Sequence, residues 1–180
     1  MRTSRQEAQW VLRAQCDDRE ALESLLRSIQ PSLRRFVHGV VGPTNGDDVL
    51  QEVFVTVCRK LKSLHAPELL RPWVYRIASR EAFRQLKKER RWPGPSAEAF
   101  DFDDLPAPGA SPPAEVLEEL LALDEVPAAS RMVLSLHFRE ELTLLEVAAI
   151  LELPLGTVKS RLAYGLNAIR KHLRKKRGER

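Results

Sequence analysis

The chain has 180 residues, enough for one domain or two small ones, each with a modest core. Apolar residues make up 43% and charged residues 30%, an ordinary soluble balance. No 18-residue apolar run offers a membrane span, and the basic start Met1–Trp10 lacks the apolar centre of a signal peptide. Net charge is +4, but it is unevenly spread. Residues 1–91 carry net +7, residues 92–130 net −9 with neither Lys nor Arg, and residues 131–180 net +6. Two basic blocks around an acidic one point to two nucleic-acid-facing domains joined by a segment that does not face nucleic acid. The four histidines have no metal-ligand spacing, and Cys16 and Cys58 form no CxxC pair. They read as reduced, packed thiols of a cytoplasmic protein with no metal site and no cofactor.

The elements are all helical. Ser4 and Glu7 have capping-box spacing for a first helix carrying Trp10, Val11 and Ala14. Asp17 or Asp18 caps a second, with Ala21, Leu22, Leu25, Leu26 and Ile29 inward. Pro31 bends or restarts it before Leu33, Phe36, Val37 and Val40. Gly42-Pro-Thr-Asn-Gly46 reads as a turn, after which Asp47 and Asp48 open a third helix with Leu50, Val53, Phe54, Val57 and Leu61 inward. Ser63–Arg71 reads as a loop. A fourth helix runs from about Pro72 to Arg91, burying Val74, Ala78, Ala82 and Leu86.

On that fourth helix Arg76, Arg80, Arg84, Lys87, Lys88 and Arg91 recur every three or four residues. The stripe is roughly 20 Å long at 1.5 Å per residue, suited to tracking phosphates. Trp73, Tyr75 and Trp92 offer aromatic surface beside it, with Trp73 at core spacing. The loop Leu64–Leu70 is the better place to hold an extruded base. Residues 92–113 contain six of the twelve prolines and read as an extended linker. The boundaries are therefore a domain at 1–91, a linker at 92–113 and a second domain at 114–180.

The second domain ends in a helix-turn-helix. Thr143 and Glu146 have capping-box spacing, Val147, Ala148, Ile150 and Leu151 give an apolar side, and Glu152-Leu153 is the turn. Pro154 restarts a helix in its first turn, with Val158, Leu162, Leu166, Ile169 and Leu173 as the buried stripe. Opposite lie Gly156, Thr157, Ser160, Ala163, Tyr164, Asn167 and Lys171, flanked by Lys159, Arg161 and Arg170. Small polar residues with flanking cations suit a recognition helix in a major groove. Taken alone, the motif also fits a repressor. A nucleic-acid-processing enzyme would need a nucleophile or metal cluster that the sequence lacks.

Four segments together resemble the bacterial sigma-70 family, specifically its extracytoplasmic-function (ECF) group. Asp47-Asp-Val-Leu-Gln-Glu-Val-Phe54 resembles the D-x-x-Q-E-x-F helix, and Arg71-Pro-Trp-Val-Tyr-Arg-Ile-Ala78 the R-x-W-L-Y-x-I-A segment, of region 2. Val126-Pro127 through Arg131-Met-Val-Leu134 is similar to the opening of region 4, and Pro154–Leu162 to its recognition helix. The resemblance implies a transcription initiation factor with no catalytic centre of its own. It implies that Asp47, Asp48, Gln51 and Glu52 contact the β′ clamp helices of core RNA polymerase. Arg76, Arg80, Arg84, Lys87 and Lys88 would contact the −10 element of promoter DNA. Thr157, Lys159, Ser160, Arg161, Ala163 and Tyr164 would contact the −35 element, with region 4 docked on the β-flap. It further implies an anti-sigma partner, and a linker running through the polymerase interior. Arg80, Arg84 and Tyr164 depart from residues common in relatives, so base preference does not carry over. Glu141 and Glu152 stand at turns where relatives often have glycine, and a positive φ there would be strained.

Overall fold

A computed structural model of the chain describes residues 3–89, 125–176 and 178. The linker 92–113, Arg91, Trp92 and residues 114–124 lie outside the described residues. Among the described residues there are seven α-helices and no strand. The chain divides into two compact units, Met1–Gln85 and Leu86–Arg180, described separately below.

The first unit holds α1 (Arg5–Gln15), α2 (Arg19–Val41), α3 (Pro43–Lys60) and most of α4 (Leu70–Lys88). Local chemistry sets the starts of the first two. Ser4 accepts from the Glu7 amide and the Glu7 carboxylate returns to the Ser4 amide, completing the capping box. Asp18 caps α2 by accepting from the Ala21 amide at 3.0 Å. Between them Asp17 turns left-handed (φ 65), and the Asp18 amide reaches back to the Arg13 carbonyl in a helix-ending 6→1 bond. The apolar stripe of α2, Leu25, Ile29, Leu33, Phe36, Val37 and Val40, is buried, as are Val11 of α1 and Val53 and Val57 of α3, the two helices packed on α2. Leu22 and Leu26 are only half buried, at the edge of that stripe.

Three sequence expectations change. Pro31 does not interrupt α2, which is continuous; the proline sits on the exposed side, where water can serve the carbonyl it leaves unbonded. The supposed turn Gly42–Gly46 is the first turn of α3. Gly42 takes φ 90 to reverse the chain, and Pro43 then supplies a helical φ at a position whose amide needs no partner. Asp47 and Asp48 therefore lie in the second turn of α3 and do not open it. The loop before α4 contains two 3-10 turns, Leu61–Ser63 and Pro67–Leu69, and α4 starts at Leu70 rather than at Pro72.

The second unit contains α5 (Ala128–Leu134), extended by a π-helical turn over Ser135–Arg139, then α6 (Leu144–Leu151) and α7 (Leu155–Lys176). Its core is Met132, Val133, Leu134, Leu136, Leu142, Val147, Ile150, Val158, Leu162 and Ile169. Thr143 and Glu146 form the expected capping box, and the Glu146 carboxylate accepts from the Thr143 amide at 2.8 Å. That backbone bond, then the Thr143 hydroxyl, holds the Glu146 carboxyl below its ordinary range. The cap's contribution is thus complete above ordinary glutamate titration and is lost as pH falls through the lowered value. Thr143→Ala should lower the unit's stability by about 1 kcal/mol in a urea titration at pH 7. The deficit should shrink in acid.

Glu141 and Glu152 both adopt the left-handed conformation, at φ 54 and φ 55. Each lets an amide reach back over a helix end: Leu142 to the Leu136 carbonyl, and Leu153 to that of Ala148. The sequence thus spends about 1–2 kcal/mol of side-chain strain at each turn where glycine would be relaxed.

Candidate nucleic-acid interface

The recognition helix is positioned by its buried side. Val158, Leu162, Gly165 and Ile169 are buried, at steps of four, three and four. Gly165 replaces the expected Leu166, which is half buried, and Leu173 is 40% exposed. The cause is the crossing with α5. A Cβ on Gly165 would lie 2.7 Å from Leu134 Cδ1 and 3.0 Å from Ser130 Cβ, so any larger residue requires the neighbours to shift. Pro154 stands one place before α7, its carbonyl accepting from the Val158 amide at 3.1 Å. The turn after α6 is only Glu152–Pro154, so α6 and α7 form a tight helix-turn-helix.

The outer face of α7 has the expected composition. Gly156, Tyr164, Asn167, Arg170 and Lys171 are exposed, and Thr157, Lys159, Ser160 and Ala163 are half exposed. The Ser160 hydroxyl donates to the Gly156 carbonyl at 2.9 Å, so it presents itself to a ligand as an acceptor. Arg161 departs from the rest. It lies beside the buried stripe, half buried, and this burial pushes its guanidinium pKa down. The C-terminal basic segment continues α7 as far as Lys176, with Arg174, Lys175 and Lys176 exposed.

On α4, within the described residues, the exposed basic surface begins at Arg80 and not at Arg76. Val74, Tyr75, Ile77, Ala78 and Ser79 are all buried, so the first half of α4 is embedded and Arg76 is half buried within it. Tyr75 meets Phe36 edge-on at 5.2 Å, which makes it a core residue and no base platform. Trp73 is half buried. Arg80, Arg84, Lys87 and Lys88 are exposed, over about 12 Å of helix. Arg84 is offset by an ion pair to Glu81 at 2.6 Å. Among these cations Phe83 is 38% exposed, an aromatic face on a basic helix that charge counting overlooked.

Asp48, Gln51 and Glu52 are exposed on α3. Asp47 is exposed too, but is paired with Arg34 at 3.2 Å and His38 at 3.0 Å, so it also ties α3 to α2. Beside it a groove of about 550 Å³ is lined by Gln30, Arg34, Asp47, Leu50, Gln51, Phe54, Val55, Cys58 and Arg59. Cys58 and Cys16 are exposed free thiols, which corrects the expectation that they are packed. Among the described residues no His, Cys, Asp and Glu cluster could hold a metal ion, and no helix is long and apolar enough to cross a membrane.

A tight helix-turn-helix in one unit and a basic, aromatic-bearing helix in the other define a helical nucleic-acid reader with two surfaces. Comparison with known proteins makes the class specific. Residues 25–92 match the Sigma-70 region 2 family and residues 122–171 the Sigma-70, region 4 family. The ECF RNA polymerase sigma-E factor of Escherichia coli K12 is 30% identical over 171 residues, covering 88% of this chain and 90% of that one. The RNA polymerase sigma-H factor of Pseudomonas aeruginosa is 30% identical over 189 residues, covering 96% of each. The fold is similar to CnrH, solved in complex with the cytosolic domain of CnrY (TM-score 0.63, 20% identity, covering 93% of this chain and 97% of that one). It is similar also to the sigma factor RpoE of Bartonella quintana, solved with the anti-sigma factor NepR (TM-score 0.60, 21% identity, 84% and 96%). The chain belongs to the ECF group of the sigma-70 family and is a promoter-recognising sigma factor of RNA polymerase.

Proposed function

We propose that the chain divides promoter reading between a region 2 domain at residues 1–91 and a region 4 domain at 114–180, joined by the linker 92–113. Asp48, Gln51 and Glu52, with Asp47 at the rim of the α2–α3 groove, contact the β′ clamp helices. Arg80, Arg84, Lys87 and Lys88 hold the phosphates of the −10 element. Arg76 backs this surface from its half-buried place, and Phe83 adds an aromatic face for an unpaired base. The loop Leu64–Leu70 takes an extruded base. Thr157, Lys159, Ser160, Ala163 and Tyr164 face the −35 element, and Arg161 reaches the phosphates only from the edge of the helix. Region 4 docks on the β-flap. An anti-sigma factor holds the chain inactive; the similar RpoE of Bartonella quintana was solved with the anti-sigma factor NepR, and CnrH with the cytosolic domain of CnrY. The protein acts in the cytoplasm and leaves catalysis to the polymerase.

The observation that carries this reading is the half-exposed, small and polar N-terminal half of α7 behind a helix fixed by its own capping box. A repressor would share that feature. It would not account for the match of residues 25–92 to region 2. The site assignment is tested by Lys159→Ala in reconstituted holoenzyme. Initiation dependent on the −35 element should fall several-fold, and the slope of log affinity against log salt should flatten by about one phosphate contact. An unchanged slope would place Lys159 off the DNA backbone.

A further inference from the structure

The loop between α3 and α4 is held against α1 at both ends. At its start, Gln15 Nε2 donates to two carbonyls, Leu61 O at 2.9 Å and Leu64 O at 2.8 Å. At its end, Arg71 donates from Nη2 to Glu7 Oε1 at 2.7 Å, and its amide reaches the Thr3 hydroxyl at 3.3 Å. Glu7 and Gln15 are eight residues apart on one helix, so the anchors are about 12 Å apart. Between them Leu64 and Leu70 are buried while His65, Glu68 and Leu69 point to solvent. The loop is thus a short exposed rim on a frame made by α1. An uncharged side-chain amide suits the first anchor: its one nitrogen has two N–H groups and can serve two carbonyls without introducing a charge.

We propose that Gln15 is a positioning residue for promoter opening: by holding the Leu61 and Leu64 carbonyls it presets the rim His65–Leu69 to receive an extruded base. The proposal rests on the reading of this loop as the base-capturing element. Without Gln15 two loop carbonyls lose a partner and the rim becomes a wider ensemble, whose ordering then opposes capture. Gln15 need not touch DNA for this.

The test uses reconstituted holoenzyme and the strongest promoter identified by sequencing the 5′ ends it produces on genomic DNA. Gln15→Leu and Gln15→Glu, neither of which has a donor at neutral pH, should slow open-complex formation about tenfold. Affinity for core polymerase should stay within about twofold. Each non-template −10 base is then replaced in turn by an abasic site. At the position the loop captures, wild type and variants should open the promoter at similar rates, because there is no base left to position. A deficit of the same size on every abasic template would reduce Gln15 to a structural residue and overturn the proposal, as would variants that open the intact promoter normally. If no abasic replacement slows the wild type, the base-capture reading itself falls.

Discussion

Arg71→Met should lower the stability of the first unit by about 3 kcal/mol at pH 7, because it strands a buried carboxylate. Glu7 is 3% exposed, and Arg71 contacts both of its oxygens, at 2.7 and 3.2 Å. Burial alone would raise the Glu7 pKa; the Arg71 bonds and charge, with the Ser4 amide and hydroxyl, outweigh it and leave the carboxyl below its ordinary range. In the wild type, therefore, the ionised carboxylate stabilises the fold above the ordinary glutamate value, and this is lost as pH falls through the lowered one. In Arg71→Met the burial dominates and the folded-state pKa rises above the unfolded value. Ionisation then opposes folding, and the variant should recover stability as pH is lowered from 7 towards 5. Urea titrations at several pH values measure this, and a deficit constant from pH 7 to pH 4 would show that Glu7 is not the group stranded. Pairing the change with Glu7→Leu should recover most of the loss, since an apolar pair carries no desolvation penalty.

Gly165→Val should open the second unit at the α5–α7 crossing. The added Cβ falls 2.7 Å from Leu134 Cδ1 and 3.0 Å from Ser130 Cβ, and branching sets two further methyls in the same space. Overpacking on this scale costs about 1–3 kcal/mol, and a β-branched residue adds a little to the helix cost. Amide exchange across α5, α6 and α7 should accelerate by one to two decades, with −35-dependent initiation reduced in step. Gly165→Ala is the milder case. Leu134 Cδ1 is the end of a flexible side chain, and alanine's better helix propensity opposes the clash. Exchange in Gly165→Val as slow as in the wild type would mean that the two helices can separate at no cost.

The parts of this fold that were legible in the sequence are those decided within one turn. Ser4 with Glu7 and Thr143 with Glu146 cap their helices as spacing suggested, and of the two candidates Asp17 and Asp18 it is Asp18 that caps α2. The outer face of α7 also emerges where its periodicity put it. What was misread depended on partners distant in sequence. Hydrophobic period favoured Leu166 over Gly165, because hydrophobicity says nothing about how closely α5 approaches. The composition of Gly42–Gly46 is that of a turn, yet a glycine at φ 90 followed by proline also starts a helix. Arg76 and Tyr75 looked like surface residues of a basic stripe until the depth of the first half of α4 enclosed them. Phe83 belongs neither to the buried period nor to the basic stripe, and it stands 38% exposed among the cations. Gln15 carried no signal at all. Its function depends on two carbonyls more than forty residues away.

On the proposed function, the chain directs polymerase by reading two separate promoter elements, one with each domain. Sequencing the 5′ ends made on genomic DNA by core polymerase, with and without the purified chain, tests it directly. The purified chain should produce a discrete set of new start sites preceded by two shared sequence elements at a fixed spacing. In holoenzyme carrying Lys159→Ala, start sites with the weakest upstream element should be lost first. A start-site profile indistinguishable from core polymerase alone, or new sites sharing only one element, would contradict it.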